Sequence, residues 1–248
     1  MISRNLIILT AIFISLLSCS KETKNTSVVL KEKSLEMQVL ETYEQGMKEL
    51  KDGYSLLAAK KFNEAEILFP QSEWAPKSSL MAAYAYYSDK YYDDAIAELE
   101  RFIRVYPLNV NLDYAYYLLG MSYYDKIVDE KKDLQSILSA KKNFLILKNN
   151  FSSTEYALDS EFKLGLIDDI LASKEIYIGR YYLEKKKWIA AINRFKSVID
   201  NYQTTVYTEE ALHRLVEIYY ILGVEDEAEK YAFILGYNYQ SSEWYKRT

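Results

Sequence analysis

The feature that most constrains this chain is an alanine followed, eleven residues later, by an aromatic, five times over. Ala58, Phe62, Ala65 and Phe69 set the frame. It returns as Ala95, Leu99, Phe102 and Tyr106, then as Ala140, Phe144, Leu147 and Phe151. It returns again as Ala191, Phe195, Val198 and Tyr202, and last as Ala228, Ala232, Leu235 and Tyr239. Offsets of four and seven place the first three residues of each set on one face of a helix. The small alanine admits a neighbouring helix, and the aromatic covers the end of the core. Pro70 and Pro107 follow two of the aromatics and stop the helix, because proline cannot continue the hydrogen-bond ladder. Glycine and proline number only 7 and 3 in 248 residues, too few for the turns of a β-rich fold of this size.

Each alanine is preceded by a second apolar stretch, three of them carrying a glycine, Gly46, Gly120 and Gly179, which we read as close helix crossings. Helix pairs at a fixed period are the signature of a solenoid, and this one is a degenerate tetratricopeptide pattern. The expected fold is all-α, a tetratricopeptide-repeat superhelix of about five helix pairs, hence ten helices. The expected spans are 36–51, 55–68, 76–89, 92–105, 110–126, 136–150, 154–184, 188–201, 206–222 and 225–238. Two features break the period: a charged insertion from Asp125 to Gln135, and the segment 154–184, long enough for one continuous helix. That helix divides an N-terminal lobe, 35–153, from a C-terminal lobe, 154–248.

Residues 1–18 read as a signal peptide. Arg4 is a short positive start, and Leu6 to Leu17 form an apolar run too short to span a bilayer. Leu16-Leu17-Ser18-Cys19 resembles the bacterial lipobox, which implies lipidation of Cys19 after cleavage before it. Three acyl chains give durable anchoring where one is marginal. Ser20, in place of an aspartate, implies the outer membrane, on its periplasmic side. Residues 20–34 are polar and aperiodic, a flexible tether reaching ~20 Å on average.

Charge and chemistry exclude several functions. The chain carries −5, and removal of Arg4 with the signal peptide makes it more acidic still, so nothing presents a footprint for nucleic acid. Its densest basic run, Lys185-Lys186-Lys187, suits a helix C-terminus. One cysteine and one histidine, Cys19 and His213, lie far apart, so neither a metal site nor a cysteine–histidine nucleophile is expected, and no cofactor. His213 reads as an ordinary helix residue. Asp93-Asp94 and Asp168-Asp169 are carboxylate pairs, but adjacent helical residues point ~100° apart and read as solvated surface rather than an acid–base pair. The chain is expected to bind proteins and not to be an enzyme. A solenoid's concave face is lined by the first helix of each pair. There Tyr43, Met47, Leu80, Tyr84 and Tyr87 form a candidate groove for a segment of another protein, with core packing as the plainer role for each.

Met81-Ala-Ala-Tyr-Ala-Tyr-Tyr87, Tyr92-Asp-Asp-Ala-Ile96, Arg101-Phe-Ile103 and Pro107 resemble the BamD family, lipoproteins of the β-barrel assembly machine. So do Asp113-Tyr-Ala-Tyr-Tyr-Leu-Leu-Gly120, Gly179-Arg-Tyr-Tyr182 and Trp188-Ile-Ala-Ala-Ile-Asn-Arg194-Phe195, with Leu235-Gly-Tyr-Asn-Tyr239 in the tail. The similarity runs in order from about Tyr43 to the end, below a lipobox where that family has one. It implies a scaffold of the β-barrel assembly complex. Its C-terminal repeats would bind the POTRA region of a BamA-like barrel-forming subunit, and other Bam lipoproteins. Its N-terminal lobe would receive unfolded outer-membrane proteins. Arg194 falls where the family has an arginine that faces an acidic residue of the partner. The chain departs from the family at Lys132 before Asp133, where arginine is common, and at Ser152, where a turn proline is common. Lysine lacks the two-pronged fork of arginine, so an arginine-specific contact at Lys132 is not carried over. A second reading is another periplasmic tetratricopeptide lipoprotein, coordinating envelope constriction or peptidoglycan synthesis. Such proteins carry coiled-coil segments or repeats nearer the consensus.

Overall fold

The computed structural model describes residues 34–127 and 134–248. Cys19, the signal peptide, the tether up to residue 33, and Lys132 and Asp133 of the insertion lie outside the described residues. Among the described residues eleven helices follow one another: α1 (Leu35–Lys51), α2 (Ser55–Leu68), α3 (Trp74–Ser88), α4 (Tyr92–Val105), α5 (Leu112–Asp125), α6 (Leu134–Asn150), α7 (Glu155–Glu184), α8 (Trp188–Asn201), α9 (Thr208–Ile221), α10 (Glu225–Asn238) and α11 (Glu243–Arg247). No strand occurs among the described residues. The first ten form five antiparallel hairpins, each packed on the next, and Leu35–Thr248 is one compact unit. The fold is an all-α tetratricopeptide-type superhelix. Each expected helix is present within two residues at either end, and α11 is an addition that the five-fold frame did not contain.

The frame explains the packing. Ala58, Ala95, Ala140 and Ala191 are fully buried, and Ala228 nearly so. Four of the five terminal aromatics close their helices. The N–H groups of Tyr106, Phe151, Tyr202 and Tyr239 donate to the carbonyls of Phe102, Leu147, Val198 and Leu235 at 2.8–2.9 Å, while the rings stay half-buried over the hairpin end. That satisfies a carbonyl otherwise orphaned at the C-terminus. The three glycines are steric sockets. A Cβ on Gly46, Gly120 or Gly179 would lie 2.7, 2.6 or 2.7 Å from Cε1 of Phe62, Phe144 or Phe195 respectively, the fully buried phenylalanines of the following helix. The second repeat makes the same crossing with different volumes: buried Ala83 stands sixteen residues before buried Leu99, the spacing of Gly46 to Phe62 and of Gly179 to Phe195.

Turns within hairpins are equally regular. Gly53, Lys90, Lys186 and Gly223 each take a left-handed conformation, φ 85°, 64°, 53° and 71°, which reverses the chain in three residues. Lys185 to Lys187 thus form the turn after α7, as a basic helix terminus should.

The thirty residues of α7 run unbroken, about 45 Å at 1.5 Å per residue. Leu164, Ile167 and Leu171 pack with Ile137, Ala140, Phe144 and Leu147 of α6. From the very next residue, Ala172 and then Ile176 join a different cluster, with Phe195 and Val198 of α8 and Leu212, Leu215 and Ile218 of α9. Two polar networks tie successive repeats. The guanidinium of Arg101 (α4) grips buried Glu66 (α2), with Nη1–Oε1 2.9 Å and Nη2–Oε2 2.5 Å; it also donates to Glu98 and to Ser79, and Tyr106 donates to Glu66 at 2.6 Å. Arg180 of α7 holds buried Glu210 of α9 with a similar fork through Nε and Nη2. Asp93 pairs with Lys126 on the exposed surface, as expected of a solvated pair, whereas Asp168 is half-buried and pairs with Lys141 at 2.7 Å.

Candidate functional site

The first helices of the first four hairpins, α1, α3, α5 and the start of α7, lie side by side, and their exposed face is lined with tyrosine. Two open grooves run along it. One, of about 690 Å³, is lined by Met47, Leu50, Lys48 and Lys51 of α1 with Ser55, Tyr84 and Ser88. The other, of about 360 Å³, is lined by Tyr43, Lys77, Leu80, Met81, Val110, Asp113, Tyr114 and Tyr156 among others. The five residues expected in one groove are therefore distributed. Met47 and Tyr84 border the first, and both are exposed. Tyr43 and Leu80 border the second from its floor. Leu80 is buried, and Tyr43 leans on Phe62 and Trp74 with ring centroids 5.2 and 5.1 Å away. Tyr87 borders neither. Its hydroxyl donates to Asp125 at 2.7 Å and its ring leans on Tyr92.

The face also contains residues that the sequence reading left out. Tyr114 and Tyr117 stand thirty residues after Tyr84 and Tyr87, where Tyr-Ala-Tyr-Tyr repeats at 114–117, and that repetition was the available signal. Both rings meet Tyr156, at 5.4 and 5.1 Å. The Tyr117 hydroxyl donates to Asp159 at 2.8 Å, as Tyr87 does to Asp125. Burial, the accepting carboxylate and its charge push the Tyr117 phenol up to about 12 and the Tyr87 phenol higher still, so both remain neutral donors. The face presents aromatic edges for apolar side chains and carboxylates for N–H groups or cations.

At the other end, Arg194 on α8 is half-exposed and not freely solvated. Its Nη1 donates to both oxygens of Glu175 on α7, at 3.2 and 3.1 Å. The pair borders a small depression of about 240 Å³ lined also by Tyr182, Ala190, Asn193 and Ser197. His213 lies within α9, as expected, and its ring reaches α11. Its ring packs 5.3 Å from Trp244 of α11, its Nδ1 shares a hydrogen with Thr248 Oγ1 at 2.7 Å, and Trp244 is flanked by the guanidinium groups of Arg214 and Arg247. Desolvation and the neighbouring Arg214 lower the imidazole's pKa. Among the described residues no group of histidine, cysteine and carboxylates could hold a metal, and no helix is long and apolar enough to cross a membrane.

A family described as YfiO, outer membrane lipoprotein, matches residues 35–233, which is α1 through most of α10. An outer membrane protein assembly factor BamD from Rickettsia prowazekii is 45% identical over 201 residues, covering 78% of this chain and 80% of the relative. The protein of the same name from Caulobacter vibrioides is 38% identical over 231 residues, 93% of this chain and 74% of the relative. The chain belongs to the BamD family. The BamD-family match contains both grooves and the Arg194 depression, and it stops before α11, which clasps the last hairpin.

Proposed function

We propose that this chain is a periplasm-facing outer-membrane lipoprotein of the β-barrel assembly complex, assisting the folding and insertion of β-barrel proteins by binding rather than catalysis. The observation that carries this reading is the identity to outer membrane protein assembly factors across nearly the whole helical body. The geometry fits it. A rigid solenoid holds an aromatic, carboxylate-rimmed face at one end and an arginine-bordered depression at the other, so two polypeptides can be held at once on one stiff frame. In this reading Cys19 carries the lipid, and the N-terminal lobe, 35–153, receives unfolded outer-membrane proteins along the grooves. The C-terminal lobe, 154–248, engages the POTRA region of the BamA-like subunit, with Arg194 as a contact, and other Bam lipoproteins.

The test is a tagged copy solubilised from envelopes in mild detergent. The barrel-forming subunit should copurify with it, and the mature chain should begin at an acylated Cys19 by mass spectrometry. Copurification with the cell-wall synthesis machinery in place of a barrel-forming subunit would overturn the assignment. An unmodified Cys19 would overturn the anchor alone.

A further inference from the structure

We propose that Glu175 is a positioning residue. It clamps Arg194 by one nitrogen so that the remaining two-pronged edge of the guanidinium opens to receive a carboxylate of the partner. The inference rests on the reading of Arg194 as a partner contact and adds to it the group that makes the arginine competent.

A guanidinium offers five N–H donors in a planar fork, and a carboxylate is best held by two parallel bonds. This chain shows such a bond made fully: Arg180 uses Nε and Nη2 on the two oxygens of Glu210. Arg194 is held differently. Both oxygens of Glu175 share a single nitrogen, Nη1, at 3.1 and 3.2 Å, longer than the 2.6 Å of the Arg180 Nε bond. Nε and Nη2 of Arg194 find no hydrogen-bond partner among the described residues, and they are the edge that Arg180 devotes to its carboxylate. Glu175 is one-fifth exposed against two-fifths for Arg194, so the anchor is the more fixed member and the arginine the more reachable one. Asn193 and Ser197, one helical turn apart on α8, border the same depression and can hydrogen-bond whatever carries the incoming carboxylate. A free arginine must surrender its rotamer freedom on binding; one already held by Glu175 has surrendered it beforehand. The partner is thereby specified as an acidic side chain. A lysine at 194 could not serve equally, since an ammonium has no second parallel donor.

The experiment measures binding of the purified POTRA region of the same organism's barrel-forming subunit to the full lipoprotein in detergent, at physiological salt. Four single and double variants are compared with the parent: Glu175→Ala, Glu175→Gln, Arg194→Lys and Glu175→Ala with Arg194→Lys. Arg194→Lys should weaken binding while leaving it measurable. Glu175→Ala should weaken it about two- to tenfold, the scale of ordering one long side chain. Glu175→Gln, which keeps an acceptor for Nη1, should recover most of that loss. In the Arg194→Lys background Glu175→Ala should cost little further, because the fork it positions is gone. Unchanged binding in Arg194→Lys would defeat the reading of Arg194 itself. Weakened binding there, with Glu175→Ala unchanged or tighter, would overturn the positioning role alone. So would an equal loss from Glu175→Ala in both backgrounds, which would mark a general effect on helix packing.

Discussion

Adding one methyl at Gly179 should destabilise the fold, and the same methyl should be tolerated once the facing ring is shortened. In Gly179→Ala the new Cβ meets Cε1, Cζ and Cδ1 of Phe195 at 2.7, 2.9 and 3.1 Å. Phe195 is fully buried among Ala172, Ile176, Leu212 and Leu215, so the ring cannot swing away into solvent. Relief requires α7 and α8 to separate until the 2.7 Å approach reaches the 3.4 Å of ordinary contact. Overpacking of this kind costs about 1–3 kcal/mol. Alanine regains about 1 kcal/mol over glycine inside a helix. The net expectation is a loss of up to about 2 kcal/mol, or up to roughly 8 °C for a body of this length. Phe195→Leu alone leaves a partial void beside Gly179 and should also cost about 1–2 kcal/mol. The double variant recreates the alanine and leucine that cross in the second repeat as Ala83 and Leu99. It should therefore be more stable than the sum of its parts by about 1 kcal/mol or more, a coupling expected only of residues in contact. Gly165→Ala is the control, since nothing lies within 4 Å of a Cβ there, and it should stabilise by up to about 1 kcal/mol. Urea denaturation followed by far-ultraviolet dichroism measures all four. Additivity within about 0.5 kcal/mol, or a Gly179→Ala protein more stable than its parent, would refute the socket account.

Two further outcomes follow from the polar networks. Arg101→Leu removes the fork from Glu66, which is buried and keeps only the Tyr106 hydroxyl; a loss of about 2–4 kcal/mol in denaturant melts is expected, below the full cost of an orphaned buried charge because Arg101 is itself one-third exposed. His213 has its pKa lowered by burial and by Arg214, so its neutral form favours the docked α11. The stabilisation is complete above the ordinary value near 6.5 and is lost as pH falls through the depressed folded value. Melts from pH 8 to 5 should therefore show the parent losing stability relative to His213→Gln, and a constant difference would discount the histidine.

The helices were readable because their signal is periodic. An alanine, its followers at four and seven, and an aromatic at eleven describe a buried stripe and its lid, and burial is what the stripe encodes. Gly46, Gly120 and Gly179 could be read as crossings, yet not as sockets for Phe62, Phe144 and Phe195. The partner ring lies sixteen or twenty-four residues away, across a turn of variable length. The α11 clasp was invisible for a different reason. Five residues with no repeat counterpart carry no period, and their docking depends on His213, Arg214 and Gly236, which are unremarkable in α9 and α10 taken alone.

The candidate binding surfaces were legible only as composition. Tyrosine in the first helix of each pair was evident, but which tyrosines meet depends on how neighbouring hairpins stack, a distance of thirty to forty-two residues along the chain. Met47 and Tyr84 face one groove while Tyr43 and Leu80 border another: each residue of one pair stands a single turn along its helix from its counterpart in the other, and the stacking of the hairpins decides which turns share a groove. Arg194 shows the limit most clearly. Beside Phe195 it could be placed at the edge of a packed stripe. Only the crossing of α7 over α8 brings Glu175, nineteen residues earlier, onto its Nη1. That crossing exists because Gly179, one turn further along α7, lets Phe195 approach. The glycine socket and the arginine clamp are thus consecutive turns of one contact. Gly179→Ala should consequently disturb Arg194 as well as stability: if Arg194 has the proposed role, it should weaken binding of the POTRA region, whereas Gly46→Ala, the equivalent socket at the far end of the solenoid, should cost stability and leave that binding unchanged.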